Sequence, residues 1–276
     1  MCIRDRFNIG IDASFFNGKL NLEADWFYKK TNDILRERTD MPAILGYKLP
    51  AANVGKVDNR GIDLNITHRN HLRDFNYSIA GNLTWARNKV IDLLEPAGEK
   101  NNPRQRSTGH SMSQYFGYEA LGLFQSDEEA NNWPQPQFGK AKAGDIKYKD
   151  QNGDGIIDAE DEIAIGRSNY PELVYGLNLN AEWKGFDITF FFQGAALADF
   201  YYNGYLAFPY IEGRGGALLE HHIGNTWTPE NPKAEFPRLY YGGNANNQLF
   251  SSFWMRNGSY PVSYTHLRAH ETRHDL

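Results

Sequence analysis

The chain has 276 residues, of which 41% are hydrophobic and 23% charged, a composition too apolar for a disordered protein. Its formal net charge of -5 provides no attraction to nucleic acid, so we expect no nucleic-acid partner. Aromatic residues make up 14%, which favours β structure, and the single cysteine, Cys2, excludes an intrachain disulfide. No stretch reaches the roughly 18 to 20 consecutive apolar residues of a membrane-spanning helix, but membrane barrels do not need one.

Both ends of the chain differ in character from the rest. Residues 1–6 and 261–276 resemble translated sequencing-adapter read-through, and we predict that neither segment is native. The second segment contains His270, Glu271 and His274 in the spacing of the HExxH zinc-protease motif. We expect no zinc site there, because the motif lies two residues from the chain end and no apolar helix supports it.

The first predicted hairpin follows from alternation on both sides of a turn. In residues 7–15 the odd positions are apolar and the even positions small or polar, which is the period of a half-buried strand. Asn17 and Gly18 tolerate the positive φ that a type I′ turn requires. The return strand, residues 20–28, is apolar at its even positions, and Phe27 alone breaks the pattern.

Two further hairpins share this design. One pairs residues 62–67 with 75–85, and the other pairs residues 173–183 with 186–192. We predict a seventh strand at residues 249–255.

The arrangement of the hairpins favours a membrane barrel. Their polar faces run for about ten residues, the length of a tilted strand that crosses a bilayer. Connections within hairpins are short, whereas those between hairpins are long and occupy about residues 34–59, 90–171 and 195–248. We therefore predict an all-β fold: an antiparallel transmembrane β-barrel that is partial, with about seven strands and long extracellular loops. Periodicity leaves open a soluble antiparallel sandwich with a polar outer face.

The barrel interpretation has two consequences. Trp26, Trp85 and Trp183, near the predicted strand ends, become candidates for an aromatic girdle at the membrane interface. Because seven strands are fewer than the eight of the smallest bacterial barrels, and open edges in lipid leave backbone groups unpaired, the chain is expected to be a fragment.

Several motifs occur in order along residues 7–260. Together they resemble the C-terminal half of SusC/RagA-type TonB-linked outer-membrane transporters, and the match covers most of this segment. The motifs are NRGIDL at 59–64, YFGYEALGLFQS at 115–126, GDIKY at 144–148, DQNGDG at 150–155, KGFD at 184–187, FFFQG at 190–194 and WMRNGSY at 254–260.

The resemblance implies a receptor in the outer membrane of a Gram-negative bacterium of the Bacteroidota. Its barrel would have about 22 strands around a plug, with residues 7–260 as a C-terminal portion of the wall in contact with outer-membrane lipid. Import of glycans, oligosaccharides or peptides would use a SusD-like lipoprotein, and TonB would bind through an N-terminal part missing from this sequence. No catalytic residue or organic cofactor is implied.

Residues 150–161 fit the twelve-residue calcium-loop template. Oxygen-bearing side chains occupy positions 1, 3 and 5, glycine occupies position 6, and Asp161 replaces the usual Glu at position 12. We expect calcium to stiffen the long loop, and an uncommitted acidic turn is the alternative. The candidate ligands are Asp150, Asn152, Asp154, the carbonyl of Ile156, Asp158 and Asp161.

Aromatic residues in the long loops are candidates for lining an import path, because aromatic faces stack on sugar rings. The alternative is that they pack the loops onto the barrel mouth. The adjacent His221 and His222 are expected to be a loop feature rather than a metal site. The candidate path residues are Tyr201, Tyr202, Tyr205, Tyr210 and Trp133.

The leading hypothesis is a non-enzymatic portion of a nutrient-uptake receptor, since the sequence contains no GxSxG, P-loop or dinucleotide-binding motif. The alternative is a soluble, calcium-stabilised surface β-domain that binds carbohydrate. An accessory domain of an extracellular hydrolase is a more distant possibility.

Overall fold

The computed structural model describes residues 2–37, 50–95, 102, 104–210 and 217–269. Fifteen strands are numbered in chain order, and seven of them form one antiparallel sheet. The strands are β1 (Ile3–Phe15), β2 (Leu20–Arg36), β3 (Ala52–Leu72), β4 (Phe75–Asp92), β5 (Tyr115–Gly117), β6 (Ala120–Leu123), β7 (Gln135–Pro136), β8 (Ile146–Tyr148), β9 (Ile156–Ile157), β10 (Ile163–Ile165), β11 (Leu173–Trp183), β12 (Phe186–Ala196), β13 (Asp199–Tyr201), β14 (Met255–Asn257) and β15 (Tyr260–Ala269). The order in the large sheet is β1-β2-β3-β4-β11-β12-β15.

The remaining strands form two-stranded ladders within the long connections: β5 with β10, β6 with β8, β7 with β9, and β13 with β14. A short helix, α1 (Asp127–Asn131), begins after Ser126, whose hydroxyl accepts a hydrogen bond from the Glu129 amide. Within the described ranges, no helix is both long and apolar enough to cross a membrane. Single 3₁₀ turns occur at Ala159–Asp161, Gly204–Leu206, Glu220–His222, Asn246–Gln248 and Ser252–Trp254.

The hairpin turns use residues with positive φ. Lys184 and Gly185, with φ of 47° and 87°, connect β11 directly to β12, as predicted. The β1–β2 turn is longer than the predicted Asn17-Gly18 pair, because it occupies residues 16–19. Residues 16–18 all have positive φ in this turn.

The strand register gives the sheet one apolar and one polar face. Directly opposed residues share a face, so Ile9, Trp26, Ile62, Trp85 and Leu173 form a single row across five strands. Three large side chains in this row are exposed, Ile9 by 54%, Trp26 by 40% and Ile62 by 43%. A soluble sandwich would bury such a face against a second sheet, whereas a barrel in lipid presents it outward. We call this apolar side the outward face.

Phe27, which breaks the alternation of β2, lies on the polar face opposite Gly61. A Cβ atom at Gly61 would lie 2.5 Å from Cζ of Phe27, so the ring occupies the space that a side chain at position 61 would fill. The exception to the pattern is therefore a packing pair between neighbouring strands.

The strand ends differ from the prediction. β2 continues to Arg36 and β3 already begins at Ala52, so the first long connection is shorter than the predicted 34–59. The predicted strand at 249–255 was wrong, since Ser252–Trp254 is a 3₁₀ turn and Trp254 is buried in the folded connections. The seventh strand of the sheet is β15.

Both segments predicted to be foreign contribute to the sheet: β1 begins at Ile3, and β15 pairs with β12 through Ala269. The register of β15 places Ser263 and Thr265 opposite Phe192 and Phe190, in outward rows whose other polar member is His68 of β3. The foreign origin of the two end segments stays a prediction. The HExxH motif at 270–274 lies outside the described residues.

Candidate functional site

The two longest connections fold together into a unit that we call the cap, made of residues 104–172 and of 197–210 with 217–259. Its core joins both segments, because Ile146 and Tyr148 from the first pack in one cluster with Phe236 and Trp254 from the second. Burial raises the pKa of the Tyr148 phenol, whose hydroxyl donates a hydrogen bond to the Asn246 carbonyl at 2.7 Å. The cap is thus a packed unit rather than a set of independent loops.

A buried carboxylate lies at the junction of the two cap segments. Asp145 is fully buried, and its Oδ1 accepts hydrogen bonds from Arg238 Nε at 2.8 Å and from Asn244 and Asn247 side-chain amides at 2.9 Å. Its Oδ2 accepts from Arg238 Nη2 at 3.2 Å and from the Lys142 amide at 2.9 Å. The charge is paired and every acceptor oxygen is used, as a buried carboxylate requires.

The acidic groups of the predicted calcium loop bind the backbone of their own loop. Asp150 accepts hydrogen bonds from the amides of Gly153 at 2.6 Å and Gly155 at 2.9 Å. Asp161, fully buried, accepts from the amides of Gln151 at 2.7 Å and Asp158 at 3.0 Å. The two end positions of the template are therefore engaged by amides.

The middle of the loop is arranged in the same way. Asp154 accepts hydrogen bonds from the Ile156 amide at 2.8 Å and from the Asn152 side chain at 2.9 Å. Asp158 caps the following 3₁₀ turn by accepting from the Glu160 amide at 2.8 Å. In the described part of the chain, no group of three or more His, Cys, Asp or Glu side chains is placed to hold a metal ion. Calcium binding stays a prediction.

Three of the predicted path residues support the cap from within. Trp133 donates its indole N–H to the Tyr148 carbonyl at 2.7 Å, and Lys147 Nζ lies 3.9 Å from the indole centroid. The Tyr201 ring lies 4.2 Å from that of Phe250. Tyr202 donates its hydroxyl to the Leu206 carbonyl at 2.7 Å. These contacts favour the packing interpretation for Trp133, Tyr201 and Tyr202.

The other predicted path residues lie nearer the surface. Tyr205 is 49% exposed, and the Tyr210 ring lies 6.2 Å from that of Tyr241, which is 90% exposed. Tyr240 is 47% exposed, and the Arg238 guanidinium lies 5.1 Å from its ring centroid. Tyr240 and Tyr241 are not among the predicted path residues, although an aromatic doublet before two glycines in a long loop is a usable signal.

The histidine pair is a structural feature of the cap. The rings of His221 and His222 lie 4.0 Å apart, and each Nε2 is within hydrogen-bond distance of the Leu206 carbonyl. The Leu219 amide donates to His222 Nδ1 at 3.3 Å, which assigns the proton to Nε2. Burial, followed by the neighbouring His221, lowers the pKa of His222.

Comparison with known proteins decides the class. The profile of the family described as TonB dependent receptor-like, beta-barrel matches residues 5–156, more than half of the chain. The chain belongs to this family. The family consists of outer-membrane receptors, which confirms the predicted barrel fold and the prediction that the chain is not an enzyme. Similarity to SusC and to the RagAB peptide transporter confirms the resemblance to SusC/RagA proteins.

Curated relatives of this TonB-dependent receptor chain are much longer. TonB-dependent receptor P26 of Formosa agariphila is 32% identical over 266 residues, which cover 92% of this chain and 26% of the relative. TonB-dependent receptor SusC of Bacteroides thetaiotaomicron is 23% identical over 264 residues, which cover 92% of this chain and 24% of SusC. The chain thus spans about a quarter of the length of the curated relatives it matches.

A solved structure shares the fold of this TonB-dependent receptor chain. The structure of the RagAB peptide transporter matches with a TM-score of 0.69 at 22% identity, covering 94% of this chain and 28% of that chain. The same transporter in its closed-closed state gives a TM-score of 0.67.

In a TonB-dependent receptor barrel, the outward face of this sheet meets lipid. On β4 the outward residues from Phe75 to Trp85 are apolar or glycine, a span of about 33 Å along the strand and about 25 Å of height at the usual tilt. Trp183 ends β11 and is 54% exposed, as predicted for a strand end. Trp26 and Trp85 lie within their strands, because β2 and β4 are longer than predicted. The girdle role of all three stays a prediction.

Proposed function

We propose that the chain supplies barrel wall and outer loops to a SusC/RagA-type receptor that imports glycans, oligosaccharides or peptides with a SusD-like lipoprotein. Family membership supports the receptor, and similarity to SusC and to the RagAB peptide transporter supports the subtype. The relatives come from Formosa and Bacteroides, which supports an outer membrane of the Bacteroidota as the location. TonB would act through an N-terminal part of the larger receptor.

The observation that carries the proposal is the combination of a lipid-compatible face with a packed cap at the long-loop end. A nutrient receptor needs a rigid outer surface for its solute, and the Asp145–Arg238 pair holds the two cap segments together. Tyr240 and Tyr241 extend from this support and are exposed by 47% and 90%. Their rings offer apolar faces to a sugar or to an aromatic peptide side chain.

Binding to the assembled receptor tests this role. In the Tyr240→Ala/Tyr241→Ala variant, we expect affinity for the transported solute to fall about tenfold, from two lost aromatic contacts of about 0.5–1.5 kcal/mol each. Parallel titrations would use an oligosaccharide mixture and a peptide mixture. The mixture whose affinity falls in the double variant identifies the solute class. Tyr170→Ala, which also removes an exposed tyrosine, is the matched control. Unchanged binding of both mixtures by the double variant would contradict the stacking role.

Fractionation tests the receptor assignment separately. We expect the assembled receptor to remain in the outer-membrane fraction after a high-pH wash and to need detergent for extraction. The alternative, a soluble calcium-stabilised surface β-domain that binds carbohydrate, predicts release into the wash.

A further inference from the structure

The residues of the outward face change from apolar in one row to charged in the next row. On β4, Trp85 is followed at the next two outward positions by Arg87 and Lys89. On β3, the corresponding positions beyond Ile62 are Arg60 and Asp58. The change lies toward the long-loop end of the sheet, immediately beyond the row that contains Trp26 and Trp85.

A cavity of about 410 Å³ occupies this place. Segment 109–114 forms its other side and is tied to β4, because the Gly109 amide donates to the Val90 carbonyl and the Val90 amide to the His110 carbonyl, both at 2.8 Å. The volume is in the range of small-ligand sites. The strand residues that line it are Tyr28, Asp58, Arg60, Arg87, Asn88 and Lys89.

The lining is positively charged. Three of these side chains, Arg60, Arg87 and Lys89, are cations, and one is a carboxylate. The carboxylate, Asp58, accepts a hydrogen bond from the hydroxyl of Tyr28. Arg87 pairs with Glu172 at 3.3 Å but keeps 57% of its side chain exposed. Lys30 lies 5.6 Å from the ring centroid of Tyr28 and adds a cation beside the cavity, where it stands directly opposite Asp5 and Asp58. The four cations exceed the three acidic side chains around the cavity by one, and this excess favours an anionic ligand.

We propose that this cavity binds the phosphate group of an anionic membrane lipid in the leaflet at the long-loop rim. Five of the six strand residues that line it lie on the outward face, and Asn88 has the parity of the polar face, so the ligand approaches from the membrane side. Acyl chains attached to the phosphate would lie along the apolar rows that begin at Trp85 and Ile62. Aromatic residues at the interface with cations just beyond them suit a lipid whose phosphate lies above its hydrocarbon. The inference rests on the barrel fold and not on the imported solute.

The test uses the assembled receptor that contains this chain in neutral detergent micelles, with β content checked by circular dichroism. Native mass spectrometry would measure binding of phosphatidylglycerol, phosphatidylcholine and inorganic phosphate at equal concentrations. We expect the chain to prefer phosphatidylglycerol, and Arg60→Gln/Lys89→Gln to weaken its binding by roughly 30-fold at low ionic strength. The control, Lys29→Gln/Arg69→Gln, removes two cations from the opposite face and should bind as the unchanged chain does.

A second measurement does not depend on the folding of a variant. A photoreactive phosphatidylglycerol should crosslink the unchanged chain at 58–60 or 87–89, as mapped by peptide mass spectrometry. Equal binding of the two lipids, equal loss in the control, or crosslinks confined to other strands would overturn the proposal. Binding of inorganic phosphate as tight as that of phosphatidylglycerol would also overturn it, because the cavity would then recognise free phosphate.

Discussion

Arg238 binds the buried carboxylate of Asp145 through two guanidinium nitrogens, with Nε 2.8 Å from Oδ1 and Nη2 3.2 Å from Oδ2. The two residues are 93 positions apart and belong to different long connections. The guanidinium also lies 5.1 Å from the ring centroid of Tyr240. One side chain thus joins the two cap segments and supports the exposed aromatic surface.

Arg238→Ala should destabilise the cap by about 3 kcal/mol, because removing one partner of a buried ion pair leaves an uncompensated charge. The value lies at the low end of the usual range, since Asn244 and Asn247 still donate to Asp145. Hydrogen exchange should show faster opening of residues 144–148 and 236–248 while the sheet stays protected. Lys149→Ala is the control, because its pair with Glu119 is solvent-exposed and worth about 0.5 kcal/mol. Equal exchange in the two variants would contradict the joining role of the pair.

Alternation predicted the sheet because each hairpin repeats an apolar face over many residues. Strand ends were harder, since β2 and β3 continue where that alternation fades. The strand predicted at 249–255 was wrong because tertiary packing overrides the sequence pattern there. The Phe250 ring contacts the Tyr201 ring, and the ring centroids of Trp254 and Phe208 lie 4.9 Å apart. A run of aromatic residues has the same appearance in a strand and in a packed loop.

Less of the candidate site than of the sheet could be predicted from the sequence. The template at 150–161 predicts calcium ligands from residue types alone, but the direction of each carboxylate depends on which amides the turn exposes. Nothing local to GDIKY indicates that its aspartate meets an arginine 93 residues later. Such partners become visible only when the long connections fold together.

The cap should become less stable as the pH falls through about 6.5, the ordinary pKa of histidine. Burial lowers the pKa of His222, so below this pH the unfolded chain takes up a proton that the folded cap resists. Protonation would also remove the acceptor that binds the Leu219 amide. Thermal unfolding followed by tryptophan fluorescence between pH 8 and 5 measures the effect. In His222→Gln this part of the pH dependence should be absent, and an unchanged pH profile would exclude His222 as its source.

If residues 150–161 bind calcium, the ion should raise the melting temperature of the cap and EDTA should reverse the increase. Asp154→Ala should remove the response, because it deletes a central oxygen ligand of the template. Glu128→Ala, which removes an exposed carboxylate from α1, should keep it. The measurement is a calcium titration followed by differential scanning fluorimetry. A response in Asp154→Ala equal to that of the unchanged chain would show that the ion acts elsewhere.

Gly61→Ala should lower the free energy of unfolding of the sheet by about 1–3 kcal/mol, the usual cost of overpacking. A Cβ at this position would lie 2.5 Å from Cζ of Phe27 and overlap the Trp85 carbonyl oxygen, which the β-ladder holds in place. Gly81→Ala is the matched control, since the atom nearest to its Cβ would be the Gly176 carbonyl oxygen, at 4.0 Å. Denaturant unfolding in detergent, followed by circular dichroism, compares the two. Phe27→Ala/Gly61→Ala should recover part of the loss, because it removes the ring but leaves the backbone contact, and no recovery would show that Phe27 is not the obstacle.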